Sequence, residues 1–141
     1  IKYIEKSRCA DGGIAYRVGM NGSRPPITAA AVAVLYNAGK YDSPMATKAL
    51  EYCKKRIAIG SENSRGFSGH YYYAQLYFSQ AMYQAGEKEW RWYYPKATKS
   101  LLAKQEGDGG WGRSNVGKVY ATALALTILQ LPYENLPLYG R

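Results

Sequence analysis

The chain has 141 residues, of which 47% are hydrophobic and 21% charged; that is enough apolar material for one packed core and excludes a disordered chain. Nineteen Lys and Arg stand against ten Asp and Glu, a formal charge of +9, so an acidic glycan, an anionic surface or nucleic acid would each be attracted. No apolar run reaches the roughly 20 residues that span a bilayer, no signal peptide is apparent, and with Ile1 in place of Met the expectation is a processed product or a fragment.

Residues 1–7 read as the last turns of a helix. They lead into Asp11-Gly12-Gly13-Ile14, a glycine turn, and then into a Gly/Pro/Asn-rich loop over 14–26 that carries Tyr16, Arg17 and Arg24. Pro25-Pro26 is expected to precede a helix, with Thr28 as its N-cap. That helix, 28–38, is apolar on almost every side and stops at Gly39. Ser43-Pro44 then caps a second helix running to about Ile57. Ala46, Ala49, Leu50, Cys53 and Ile57 form its apolar stripe, while Lys48, Glu51, Lys54 and Lys55 face away.

A polar loop over 60–69 precedes another all-apolar helix, 71–85, closed by Gly86 just as Gly39 closes the earlier one. Residues 87–94 read as a connector with Trp90 and Trp92. Pro95 is expected to open an amphipathic helix that ends near Gln105. Residues 120–131 form a third apolar run, and the tail from Pro132 reads as irregular. Dry helices starting near 28, 71 and 120 thus alternate with half-wet ones starting near 44 and 95, which predicts an inner row of helices backed by an outer one. Fifteen Tyr suit helix packing or a pocket, and Cys9 and Cys53 show no metal spacing, so both read as small buried residues with a disulfide left open.

One stretch carries more information than the rest. Leu101-x3-Gln105-x2-Asp108-Gly109-Gly110-Trp111 lets Trp111 fold back on the end of one helix while Gln105 reaches backbone at the start of the next. Asp11, Gly12 and Gly13, with Ile4 and Arg8 upstream, are a worn copy lying 97 residues earlier (11 to 108), about two periods of 48. This spacing resembles the QW repeat of squalene and oxidosqualene cyclases, shared in looser form with protein prenyltransferase β subunits. It is similar also to uncharacterised bacterial proteins carrying prenyltransferase and squalene oxidase repeats. The resemblance implies an all-α fold, an α/α-toroid of helical hairpins. A full ring of that family takes about twelve helices. The five or six here imply an open arc, completed by the rest of a longer chain, a second copy or another protein.

The catalytic motifs of those families have few counterparts in this sequence. The Asp-x-Asp-Asp acid of the cyclases is missing, since Asp11, Asp42 and Asp108 stand apart. Zinc in the prenyltransferases needs Asp-x-Cys and a distant His; neither Cys9 nor Cys53 follows Asp-x, and His70 is the only histidine. The Gly-Cys-Gly-Glu-Gln stretch of thioester domains does not occur. Toroid lyases use Tyr or His with Arg and Asn on a uronate, and Asn63, Arg65, His70, Tyr71 and Tyr72 supply those types. The expectation is therefore a non-catalytic or catalytically incomplete module for ligand binding or assembly, with no cofactor, no metal and no nucleic-acid motif. A hydrophobic or acidic-glycan ligand would sit at the N-terminal ends of the inner helices, touching Arg17, Thr28, His70, Tyr72, Arg113 and Tyr120. The alternative is an enzyme of terpene cyclase, prenyltransferase or lyase type with part of its active site outside this chain.

Overall fold

A computed structural model describes residues 1–60, 70–112 and 114–133. They form six α-helices: α1 (Lys2–Lys6), α2 (Pro25–Asn37), α3 (Pro44–Arg56), α4 (Tyr71–Ala85), α5 (Glu87–Leu102) and α6 (Lys118–Gln130), followed by a 3-10 turn, Leu131–Tyr133. The protein is all-α: among the described residues the only extended pairings are two isolated bridges, Arg8 with Ile14 and Ala15 with Ser23. Helix α4 packs between α2 and α6; α3 lies against α2 and α5 against α4. At their C-terminal ends α4 and α2 are tied by Gln84 Nε2 donating to Asn37 Oδ1 at 2.6 Å.

The central place of α4 explains its sequence. Three neighbours leave little of it wet, and eleven of its residues are buried. Two of the polar ones among them have hydrogen-bond partners in the core. Gln75 donates to Ala58 O at 3.1 Å and accepts from the Tyr93 hydroxyl at 3.0 Å, and Ser79 donates to Leu76 O at 2.7 Å. Burial without such partners would cost about 1–3 kcal/mol per group. Helix α3 behaves as its stripe predicts. Ser43 Oγ accepts from Ala46 N at 3.1 Å, and Ala46, Ala49, Leu50 and Cys53 go inward. Both cysteines are free thiols, Cys53 buried and Cys9 half-buried.

Helix α6 departs from the expectation of a helix enclosed on all sides. It buries only Ala121, Ala125 and Ile128, while Val119 is 86% and Leu126 43% exposed. Its composition is apolar like that of α2, but α4 is its one helical neighbour of any extent, so apolar side chains on its far side face water.

Prolines depart from expectation at two places. Pro25 and Pro26 occupy the first two positions of α2, where no N–H has an intrahelical partner to lose. The N-cap is Arg24, and Thr28 lies inside the first turn. Pro95 does not open a helix; it sits inside α5, which begins at Glu87 directly after Gly86. Proline forfeits one backbone bond there. Aromatic packing holds the segment helical in spite of this. The Tyr93 ring lies 5.1 Å from Phe78, Trp90 stacks 4.5 Å from Tyr94, and the Tyr94 hydroxyl donates to Leu129 O at 2.9 Å. What reads as a connector is the first two turns of α5.

Candidate ligand-binding site

Two glycine turns set where α2 and α6 begin. In the first, Asp11 Oδ1 accepts from Gly13 N at 3.1 Å, Gly12 N donates to Cys9 O, and Cys9 N donates to Gly13 O. In the second, Asp108 Oδ1 accepts from Gly110 N at 3.1 Å, Gly109 N donates to Glu106 O, and Glu106 N donates to Gly110 O. Gly12 and Gly109 hold φ of 88° and 82°, the left-handed region that a side chain resists. The 97-residue repeat is thus reproduced bond for bond at the turn.

The two copies share a further bond. Ile14 N donates to Thr28 Oγ1 at 2.9 Å, and Trp111 N donates to Thr122 Oγ1 at 3.0 Å. A threonine in the first turns of α2 and of α6 therefore latches the residue that follows the glycine turn before it. Trp111 also folds back on α5, its Nε1 donating to Leu101 O at 2.8 Å, and both residues are almost fully buried. Gln105 does not reach the next helix. Its Nε2 donates to Gly109 O at 2.8 Å, because α5 ends at Leu102 and leaves Gln105 exposed in the turn itself. The contact with the next helix belongs to charge: Lys118 Nζ lies 2.6 Å from Glu106 and 2.5 Å from Asp108. Lys118 holds the Asp108 carboxyl below its ordinary pKa, and the two carboxylates raise that of Lys118.

So placed, the first turns of α2, α4 and α6 meet around one cavity of about 520 Å³. Arg24, Pro26 and Ile27 come from α2, His70 and Tyr73 from α4, and Val116 and Tyr120 from α6 and its approach. Tyr16 and Met20, from the loop before α2, complete the wall. The lining is mainly apolar and aromatic, with a guanidinium and an imidazole as its charged or titratable nitrogens. Burial pushes the phenols of Tyr73 and Tyr120 above their ordinary pKa, and Tyr77, whose ring lies 4.8 Å from that of Tyr73, adds to the effect on both. Both hydroxyls therefore stay protonated at neutral pH.

Of the residues expected to touch a ligand, His70 and Tyr120 line this cavity. Arg17 is exposed on the loop and is not part of the lining. Thr28 is fully buried, with its hydroxyl spent between Ile14 N and Arg24 O, so it holds the wall from behind. Tyr72 is 2% exposed and packs edge-on against Tyr71, facing the core shared with Trp111 and Leu101. The physical reason is helical phase: Tyr73 lines the cavity, whereas Tyr72 turns into the core that α4 shares with α5 and α6. Arg113 lies outside the described residues, as do Asn63 and Arg65. Tyr16, Met20, Arg24, Pro26, Ile27, Tyr73 and Val116 also line the cavity and are not among the expected contacts. First-turn position on each dry helix was the signal available for Ile27 and Tyr73; nothing local marks Tyr16 or Met20.

Among the described residues, no three His, Cys, Asp or Glu side chains come together as a metal set. No described helix is long and apolar enough to cross a membrane. No protein-family model matches the chain, and no curated protein matches it.

Proposed function

We propose that the chain is an arc of an α/α-toroid that binds an apolar ligand in the cavity at the N-terminal ends of α2, α4 and α6, and that it is non-catalytic or catalytically incomplete by itself. The observation that carries the reading is the convergence of three first turns on about 520 Å³ of apolar and tyrosine-lined space, a size typical of ligand sites. Support for the arc comes from the order α2, α4, α6 with α3 and α5 behind, and from the bare flank of α6, where a further hairpin of this protein, a second copy or another protein would continue the row. Binding is favoured over chemistry because the described lining holds no carboxylate and no thiol, and its half-buried phenols are pushed away from the phenolate a tyrosine base needs, which leaves His70 as its one candidate base.

One observation favours a second reading. Arg24, His70 and tyrosines share the cavity, the residue types with which a lyase would act on an acidic glycan. Raised phenol pKa values argue against Tyr as the base, which leaves His70. Incubation with polyuronates, followed by absorbance of the unsaturated product and repeated with His70→Ala, separates this reading from the first.

The binding reading is tested with a neutral fluorescent naphthylamine probe. Ile27 is half-buried at the third position of α2, where an acidic residue favours the helix. Ile27→Asp is therefore expected to leave the far-UV spectrum unchanged and weaken probe binding about tenfold or more, because a carboxylate in an apolar wall must be desolvated. A wild-type chain that does not bind the probe, or a variant that binds it equally well, rules the reading out.

A further inference from the structure

We propose that the outward faces of α3 and α5 form a docking surface for anionic lipid headgroups, separate from the cavity. None of the cavity-lining residues lies on either helix. The two helices carry eight Lys and Arg against three Glu, a surplus of five out of the chain's net +9. Moreover, every carboxylate on them is already matched. Glu51 and Glu89 both pair with Lys54, at 3.0 and 2.9 Å, and Glu87 pairs with Arg91 at 2.6 Å. The Lys54–Glu89 pair also bridges α3 and α5. Lys48, Lys55, Arg56, Lys88, Lys96 and Lys99 remain exposed with no carboxylate partner among the described residues.

The apolar residues interleaved with those cations decide the kind of partner. Residues 88, 92, 95, 99 and 102 fall at i, i+4, i+7, i+11 and i+14, one stripe along α5 that reads Lys, Trp, Pro, Lys, Leu. Trp92 is 43% and Leu102 52% exposed, and Lys96 Nζ sits 4.1 Å above the Trp92 ring. A tryptophan and a leucine set among lysines match the headgroup boundary of a bilayer, where the indole sits at the interface and lysine stems lie along apolar surface with their ammonium groups in water. Nucleic acid would satisfy the cations but leave Leu102 and Pro95 without a partner, and a convex helix face offers bases no stacking groove. The association is peripheral, reversible and weakened by salt.

The test uses the full chain and large unilamellar vesicles. Co-sedimentation is expected with phosphatidylcholine vesicles containing phosphatidylglycerol, little with phosphatidylcholine alone, and a steep loss on adding salt. Brominated acyl chains are expected to quench the tryptophan emission, and Trp92→Phe to remove most of that quenching; Trp111 is buried, and Trp90 is half-buried and packed against Tyr83 and Tyr94. Lys88→Glu with Lys99→Glu, both exposed and so harmless to folding, is expected to weaken vesicle binding by at least about tenfold. Failure to bind anionic vesicles overturns the proposal, whether or not heparin or duplex DNA is bound instead. So does vesicle binding that the double variant leaves unchanged, or binding without quenching.

Discussion

Thr28 and Thr122 show how much one hydroxyl decides. Each accepts the N–H of the residue after a glycine turn, Ile14 in one copy and Trp111 in the other, and so fixes the angle at which a dry helix leaves its loop. Thr28→Val keeps the shape and removes the acceptor, stranding a buried N–H; the expected loss is about 1–3 kcal/mol, read from urea unfolding. Thr122→Val acts at a half-buried threonine, where water can replace the lost acceptor, and should cost less. The cysteines divide in the same way. Burial raises the Cys53 thiol far above its usual range, whereas Cys9 is half-exposed. A thiol reagent should label Cys9 alone in the native chain and both after denaturation; two reactive native thiols would contradict the packing of α3 on α2. The third residue-scale test concerns charge. Asp108, with its pKa lowered by Lys118, adds stability that is present above the unfolded carboxyl value of about 3.9 and is lost as pH falls through the folded one. Lys118, with its pKa raised, adds stability present below about 10.4 and lost as pH rises through its folded value. The difference in urea midpoint between wild type and Lys118→Met should therefore be widest between these limits and shrink outside both.

At the scale of elements, what could be read from the chain was whatever is punctuated locally. Ser43-Pro44 announces α3, the alternation of dry and half-wet helices gives the order of packing, and the two Asp-Gly-Gly turns are visible as a repeat because their bonds are all short-range. What misled was anything settled by a distant partner. Pro95 looks like a helix start until Tyr93, Trp90 and Tyr94 find Phe78, Tyr83 and Leu129. Tyr16 and Met20 enter the cavity only because their loop lies across helix ends some tens of residues away in sequence. The choice between Tyr72 and Tyr73 depends on a phase that three adjacent tyrosines cannot reveal. Pro95 also supplies a prediction. It is exposed, and its missing N–H leaves the carbonyl one turn back unpaired within the helix. Pro95→Ala restores that bond at the expense of a freer unfolded chain, worth about 0.4–1 kcal/mol. The expected net effect is stabilising, by about 1–2 kcal/mol. A loss of stability would mean instead that the proline sets a bend which the aromatic packing around Tyr93 requires.

Taken whole, the molecule has two cores of unequal strength. The larger joins α2, α3, α4 and α5 around Phe78, Tyr93, Leu35 and Met82; the smaller joins the start of α4 and the end of α5 to α6 through Tyr72, Leu101, Trp111 and Ile128. Helix α6 belongs to the smaller one alone, with three buried residues against eleven in α4, so it has the least to lose by detaching. Local openings draw on whatever a segment buries, and they need not cost the global free energy. Native-state hydrogen exchange should find the α4 amides opening only with the whole protein and those of α6 opening earlier, at a lower free energy. Trp111 is the clamp between them, since it is buried against Leu101, bonded to its carbonyl and held by Thr122. Trp111→Ala, a truncation that costs about 3–5 kcal/mol in a well-packed core, should fall mainly on α6 and raise its exchange far more than that of α2. Uniform acceleration across α2, α4 and α6 would show that the chain opens as one unit. In that case a bare α6 flank would be a stable surface of the molecule, and the argument that it awaits a further hairpin would lose its energetic footing.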